Sequence, residues 1–113
     1  VVHVTKHATK RGRERLGLQK QSVERNAERA YSCGLQHRET TGSLRRYLDS
    51  VYLKYKTANA IRIYGDHVYI FNGKKLITVF YLPNKYKSRV RQLFQKKNTE
   101  KEDAYNGYDK TCQ

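Results

Sequence analysis

AIRIYGDHVYIFNGKKLITVFYL, residues 60–82, is three apolar-rich runs separated by two turn signals. The runs predict strands at Ala60–Tyr64, His67–Phe71 and Leu76–Leu82. Gly65-Asp66 and Asn72-Gly73 link them, and Asn-Gly is among the strongest hairpin signals. Two-residue loops fix the register by counting. Tyr64 then faces His67, Ile63 faces Val68, Arg62 faces Tyr69 and Ile61 faces Ile70. In the second hairpin His67 faces Thr78, Val68 faces Ile77 and Tyr69 faces Leu76. One sheet face collects Ile61, Ile63, Val68, Ile70, Ile77, Val79 and Tyr81, and is expected to pack on helices. The other collects Arg62, Tyr64, His67, Tyr69 and Thr78, with Leu76, Phe80 and Leu82 beside them.

Upstream, Leu44, Tyr47, Leu48, Val51, Tyr52 and Tyr55 repeat with helical spacing, predicting a helix from Ser43 to about Lys56 that lies on the core. His37 to Gly42 reads as a polar loop. An earlier helix starts at Ser22, with a partial capping box, and buries Val23, Ala27, Ala30 and Tyr31. Gly34 is its natural left-handed stop. Before it, Val1–Thr5 alternates as a strand, and Ala8, Gly12 and Leu16 form the narrow stripe of a short helix that Gly12 weakens and Gly17 can end. Downstream, Pro83 ends the sheet and Lys85–Lys97 forms a basic helix with Tyr86, Val90, Leu93 and Phe94 inward. The order is β-α-α-α-β-β-β-α. It predicts one α+β domain over residues 1–97, helices packed on one face of a small antiparallel sheet. Residues 98–113, with four acids and two bases, read as a disordered acidic tail.

Charge narrows the function. The 113 residues carry 24 Lys+Arg against 10 Asp+Glu, a formal +14, and the body without its tail reaches +16. Nucleic acid is the partner that offsets such an excess most readily, because neutralised phosphates release counterions. RNA is favoured over DNA, since tyrosines on a sheet can stack on unpaired bases. An anionic membrane surface or an acidic protein partner is the competing reading. No apolar run approaches the roughly 18 residues of a membrane span, and the basic start leads into no apolar signal core. Cys33 and Cys112 are far apart, suggest neither a disulfide framework nor zinc, and fit a reducing cytoplasm. The chain opens on Val1, so a removed Met and a piece of a longer polypeptide both stay open.

Helical spacing places His7, Arg11 and Arg15 at i, i+4 and i+8, with Glu14 able to reach the same side. An imidazole beside two guanidiniums suits a phosphate, which Arg grips bidentately. His3 and His7 straddle a strand–helix junction without carboxylates or thiols nearby, so no metal is assigned, and no cofactor is expected. On the sheet, Arg62 offers a second cation, His67 a second proton carrier, and Tyr64, Tyr69 and Thr78 positioning groups; His37 is a reserve. Lys85 and Arg89 extend the basic surface. The same residues also fit a solvated basic helix and the open face of a half-exposed sheet.

The run His7-Ala8-x-x-Arg11-x-x-Glu14-Arg15, followed by helices and a three-strand meander carrying Leu76-Ile-Thr-Val79, resembles small bacterial and phage proteins of the RelE/colicin D-like class. These belong to the wider barnase–EndoU–colicin–RelE superfamily of metal-independent ribonucleases. The resemblance covers residues 3 to about 82; the Tyr-rich third helix and the basic helix after Pro83 depart from it. It implies a RelE-like fold and a toxin-type endoribonuclease that drives the ribose 2′-OH onto the adjacent phosphate. His7 and His67 would carry protons, and Arg11 and Arg62 would hold the phosphate. An acidic antitoxin or host protein is then an implied partner. A non-catalytic nucleic-acid-binding module and a phage or mobile-element protein that binds a host protein stay open beside it.

Overall fold

In the computed structural model, which describes residues 2–104 and side chains as far as Lys97, the meander is the centre of a wider mixed sheet. The elements are β1 (His3–Val4), α1 (Lys6–Leu16), α2 (Lys20–Cys33), β2 (Leu35–Gln36), a 3-10 turn at His37–Glu39, α3 (Gly42–Lys54), β3 (Ala60–Tyr64), β4 (His67–Asn72), β5 (Lys75–Tyr81) and α4 (Asn84–Ala104). The sheet order is β1-β5-β4-β3-β2, with β1 parallel to β5 and the other pairs antiparallel. The architecture is α+β. The basic helix runs past Lys97 to Ala104, into the segment expected to be a tail, and residues 105–113 lie outside the described residues.

The first hairpin has the counted register, Tyr64 opposite His67 through Ile61 opposite Ile70. Gly65 and Asp66 both take positive φ (56° and 62°), the signature of a type I′ turn. The second hairpin does not. Its loop is Gly73-Lys74, with positive φ at Gly73 alone, as in a type II′ turn, and Asn72 pairs with Lys75. A bulge between Ile70 and Phe71 on one strand and Leu76 and Thr78 on the other then leaves Ile77 as the extra residue. Tyr69 therefore faces Val79, and His67 faces Tyr81 rather than Thr78.

That shift changes what each face carries, and both faces are covered. Helices α1 and α2 lie over Tyr69, Phe71, Leu76 and Val79 with Ala8, Val23, Ala27 and Ala30. Helices α3 and α4 close the opposite face, where Leu44, Leu48, Val51 and Val90 meet Ile61, Ile63, Val68, Ile70 and Leu82. The one-sided helical layer expected from the element order is thus corrected to a helix–sheet–helix sandwich. The apolar runs Val68–Phe71 and Leu76–Phe80 follow from it, because strands covered on both sides lose their alternation.

Local chemistry places α1. Thr5 Oγ1 accepts the Ala8 N–H (3.1 Å) as N-cap and donates to the Leu76 carbonyl (2.9 Å), so one hydroxyl starts the helix and pins it to β5. Gly17, at φ 66°, ends it, with its N–H on the Arg13 carbonyl and the Leu18 N–H on that of Gly12. Gly12 is where α2 comes closest: a Cβ there would sit 2.6 Å from Val23 Cγ2. Gly34 is not the left-handed stop expected; its φ is −65°, and its missing Cβ avoids the Ala30 carbonyl oxygen at 2.4 Å. Helix α2 starts at Lys20, two residues before the Ser22 expected, with no side-chain cap. Cys33 is buried at its end, and Cys112 lies outside the described residues. No helix among the described residues is long and apolar enough to cross a membrane.

Candidate nucleic-acid interface

The exposed side of α1 holds three linked groups. Arg11 Nε donates to His7 Nε2 (3.4 Å), and Arg11 Nη1 donates to Glu14 Oε2 (3.0 Å). One guanidinium thus lies between an imidazole and a carboxylate, while Lys10 stands 3.9 Å from the other Glu14 oxygen. Both of these contacts are local, made between helix positions three or four residues apart, so the cluster exists wherever α1 is helical. Half-exposed ion pairs of this kind add little stability, which leaves the groups free to exchange partners.

One turn further on, Arg15 leaves the helix surface and reaches over the edge of β5. Its Nη1 donates to the Val79 carbonyl (3.2 Å) and, more weakly, to Thr78 Oγ1 (3.4 Å). This works because β1 pairs only with Lys75 and Leu76, leaving the later carbonyls of that edge without a strand. Beyond the edge Arg15 lines a cleft of about 350 Å³ with Tyr47, Ser50, Val51 and Lys54 of α3, Tyr55 and Phe80. Tyr55 stacks on Phe80 (centroids 6.1 Å, 18° between planes), and Lys54 Nζ sits 5.6 Å from the Tyr55 ring. Tyr47 packs on Tyr86 at 4.8 Å, and Lys85 Nζ lies 5.2 Å from that second ring. Burial, with Tyr86 and Tyr55 nearby, raises the Tyr47 pKa, so its phenol stays a hydroxyl at neutral pH.

His7, Arg11 and Arg15 are therefore brought into one line, with Thr78 beneath its end and Lys85 joined to the cleft by Tyr86. The other sheet-face expectations are corrected. Tyr69 is 1% exposed under α1 and α2, its pKa raised by burial, and it offers no ring for a base to stack on. Thr78 is 2% exposed and holds Arg15 rather than RNA. Arg62 is half-buried beneath α2, with its guanidinium 5.6 Å from the Tyr31 ring, its Nη1 donating to the Ile61 carbonyl (3.4 Å) and a buried Nε that has no hydrogen-bond partner among the described residues. Tyr64 packs against Phe94 of α4 at 6.2 Å. Arg89 donates to Thr41 Oγ1 (2.7 Å) between α4 and the start of α3. His37 hydrogen-bonds Asp49 through Nε2 and meets Tyr52 edge-on, which ties the 3-10 turn to α3. Among the described residues no group of three or more His, Cys, Asp and Glu could hold a metal ion.

His67 makes no hydrogen bond or ring contact with His7; its ring neighbours are Tyr69 and Tyr81. Burial lowers its pKa, Asp66 opposes that and Lys87 adds to it. In the window below the unfolded value of about 6.5, the unfolded chain then binds more protons than the folded one. Stability is expected to fall as pH drops from 6.5 through the lower folded value of His67. Urea midpoints at about pH 5 and about pH 7.5 check this against His67→Gln, which should flatten the difference. An equal pH dependence in both proteins would show that His67 is not the group responsible.

Sequence reasoning assigned Tyr47 and Tyr55 to a core-facing stripe and did not single out Lys54; nothing in the helical spacing shows that the β5 edge opens beside them. No protein-family model, curated protein or solved structure matches this chain.

Proposed function

We propose that this protein binds single-stranded RNA across α1 and the β5 edge, and cleaves it there by attack of the ribose 2′-OH. The observation that carries this is Arg11, hydrogen-bonded to His7 on one side and to Glu14 on the other. A phosphate that takes over the Arg11 N–H groups releases both partners at once. The Glu14 carboxylate then accepts the 2′-OH proton as the 2′-oxygen bonds to phosphorus. The P–O5′ bond breaks, and His7, which takes up a proton from solvent once its Nε2 no longer accepts from Arg11, gives that proton to the departing 5′-oxygen. Arg11 balances the extra negative charge on the phosphorane. The products are a 2′,3′-cyclic phosphate and a 5′-hydroxyl, and no step requires a metal. Glu14 replaces His67 as the second proton carrier. The resemblance of the His7–Arg15 run to RelE/colicin D-like ribonucleases supports the same reaction class, and the +14 charge supports the polyanionic substrate.

The test is incubation of the purified protein with total tRNA and mRNA in EDTA. Cyclic-phosphate ends that appear in proportion to protein are the expected result. Intact RNA, retained on the protein in a salt-sensitive way, would make this a binding module without catalysis.

A further inference from the structure

We infer that the cleft bounded by Arg15, Tyr47, Ser50, Lys54, Tyr55 and Phe80 is a mononucleotide site, which seats the base and phosphate of the residue next to the cleaved bond. Its place on the RNA track rests on the reading of α1 given above.

Four properties of the cleft converge on a nucleotide. Its volume, about 350 Å³, falls at the lower end of the range for small-molecule sites. Its aromatic lining is concentrated: Tyr55 and Phe80 already stack on each other, and Tyr47 presents a further ring. Such surfaces take any base by its π-face, so the site is tolerant of sequence. Two cations, Arg15 and Lys54, stand on the walls, and no acidic side chain lines the cleft. Arg15 is held in place by the Val79 carbonyl and Thr78, contacts that use one guanidinium nitrogen. An apolar ligand would leave both cations facing nothing, and free phosphate would leave the rings unused. A planar base joined to an anion uses both.

Position gives the direction of the strand. Arg15 follows Arg11 by one helical turn, about 6 Å along the axis. A phosphate on Arg15 is thus a near neighbour of one on Arg11, and its base can drop past the β5 edge onto Phe80 and Tyr55.

The experiment follows backbone amide shifts of the ¹⁵N-labelled full chain on adding adenosine 5′-monophosphate, uridine 5′-monophosphate, adenosine or inorganic phosphate. Both nucleotides should shift the Ser50, Val51, Lys54 and Phe80 amides saturably, and each should bind about tenfold or more tighter than adenosine or phosphate alone. Ser50→Trp, which puts an indole from an exposed helix position into the cleft, should abolish those shifts. Lys54→Gln should weaken nucleotide binding by about three- to tenfold. Equal effects of phosphate and nucleotide would overturn the base site, as would nucleotide shifts that survive Ser50→Trp or lie elsewhere. RNA cleavage, measured in parallel, separates the two proposals. Nucleotide binding in the cleft without cleavage removes the catalytic role of α1 alone, and cleavage without nucleotide binding removes the cleft alone.

Discussion

His7→Ala is expected to lower kcat for RNA cleavage by about 10²- to 10⁴-fold and to leave RNA affinity within a few-fold, the pattern of a lost proton carrier. The imidazole is exposed on α1 and, among the described residues, its side chain hydrogen-bonds only Arg11, so its removal is expected to leave the fold and the basic surface intact. Glu14→Gln keeps the shape and a hydrogen-bonding oxygen for Arg11 but removes the base, and a loss of similar size is expected. The two losses should not multiply in the double variant, since groups that act in one step are non-additive. Arg13→Ala, on the same helix but off the stripe, supplies the control: it removes one exposed positive charge and should change kcat less than about threefold. Parent-rate cleavage by His7→Ala would sink the catalytic assignment. Equal loss in Arg13→Ala would show that charge, not proton transfer, is being measured.

How far the sequence foretold this arrangement depends on which contacts are local. The stripe His7–Arg11–Arg15 was legible because an 11-residue helix fixes its own faces, and Thr5 and Gly17 mark its ends. The β3–β4 register was legible because Gly65-Asp66 suits only one tight loop. The β4–β5 register was not. Asn72-Gly73 and Gly73-Lys74 are both acceptable two-residue turns, and the bulge at Ile77 carries no turn residue to announce it. Counting therefore set Tyr69 opposite Leu76 instead of Val79. Both partners lie under α1 and α2, and that helical cover rather than the register takes Tyr69 out of the site. Two-sided burial did leave a trace in Val68-Tyr-Ile-Phe71, four consecutive strand residues with no polar side chain other than a phenol. The cleft was illegible for a different reason. Tyr47 and Tyr55 satisfy helical periodicity whether they face a core or an opening, and only the shortness of β1, which leaves the β5 edge for Arg15 to cross, turns them into its walls.

The double cover of the sheet is tested most directly by two neighbours in one strand. Ile70 and Phe71 are each 0% exposed, yet they point to opposite faces of β4. Ile70 packs with the α3–α4 layer, and Phe71 with the α1–α2 layer, where Tyr31 meets it edge-on at 5.2 Å. Ile70→Ala is expected to cost about 2–5 kcal/mol and Phe71→Ala about 3–5 kcal/mol in urea unfolding. Each removes buried apolar surface and leaves a cavity between a strand and a helix that cannot fully collapse. Against the 5–15 kcal/mol of a typical domain, either loss is a large fraction of the whole. A half-exposed sheet makes a different forecast: one of the two neighbours faces water, and its truncation stays within about 0.5 kcal/mol. Two large losses therefore require helices on both faces. On the proposed reading, the same result keeps RNA off the sheet faces, because helices close both of them, and is consistent with a track over α1 and the β5 edge.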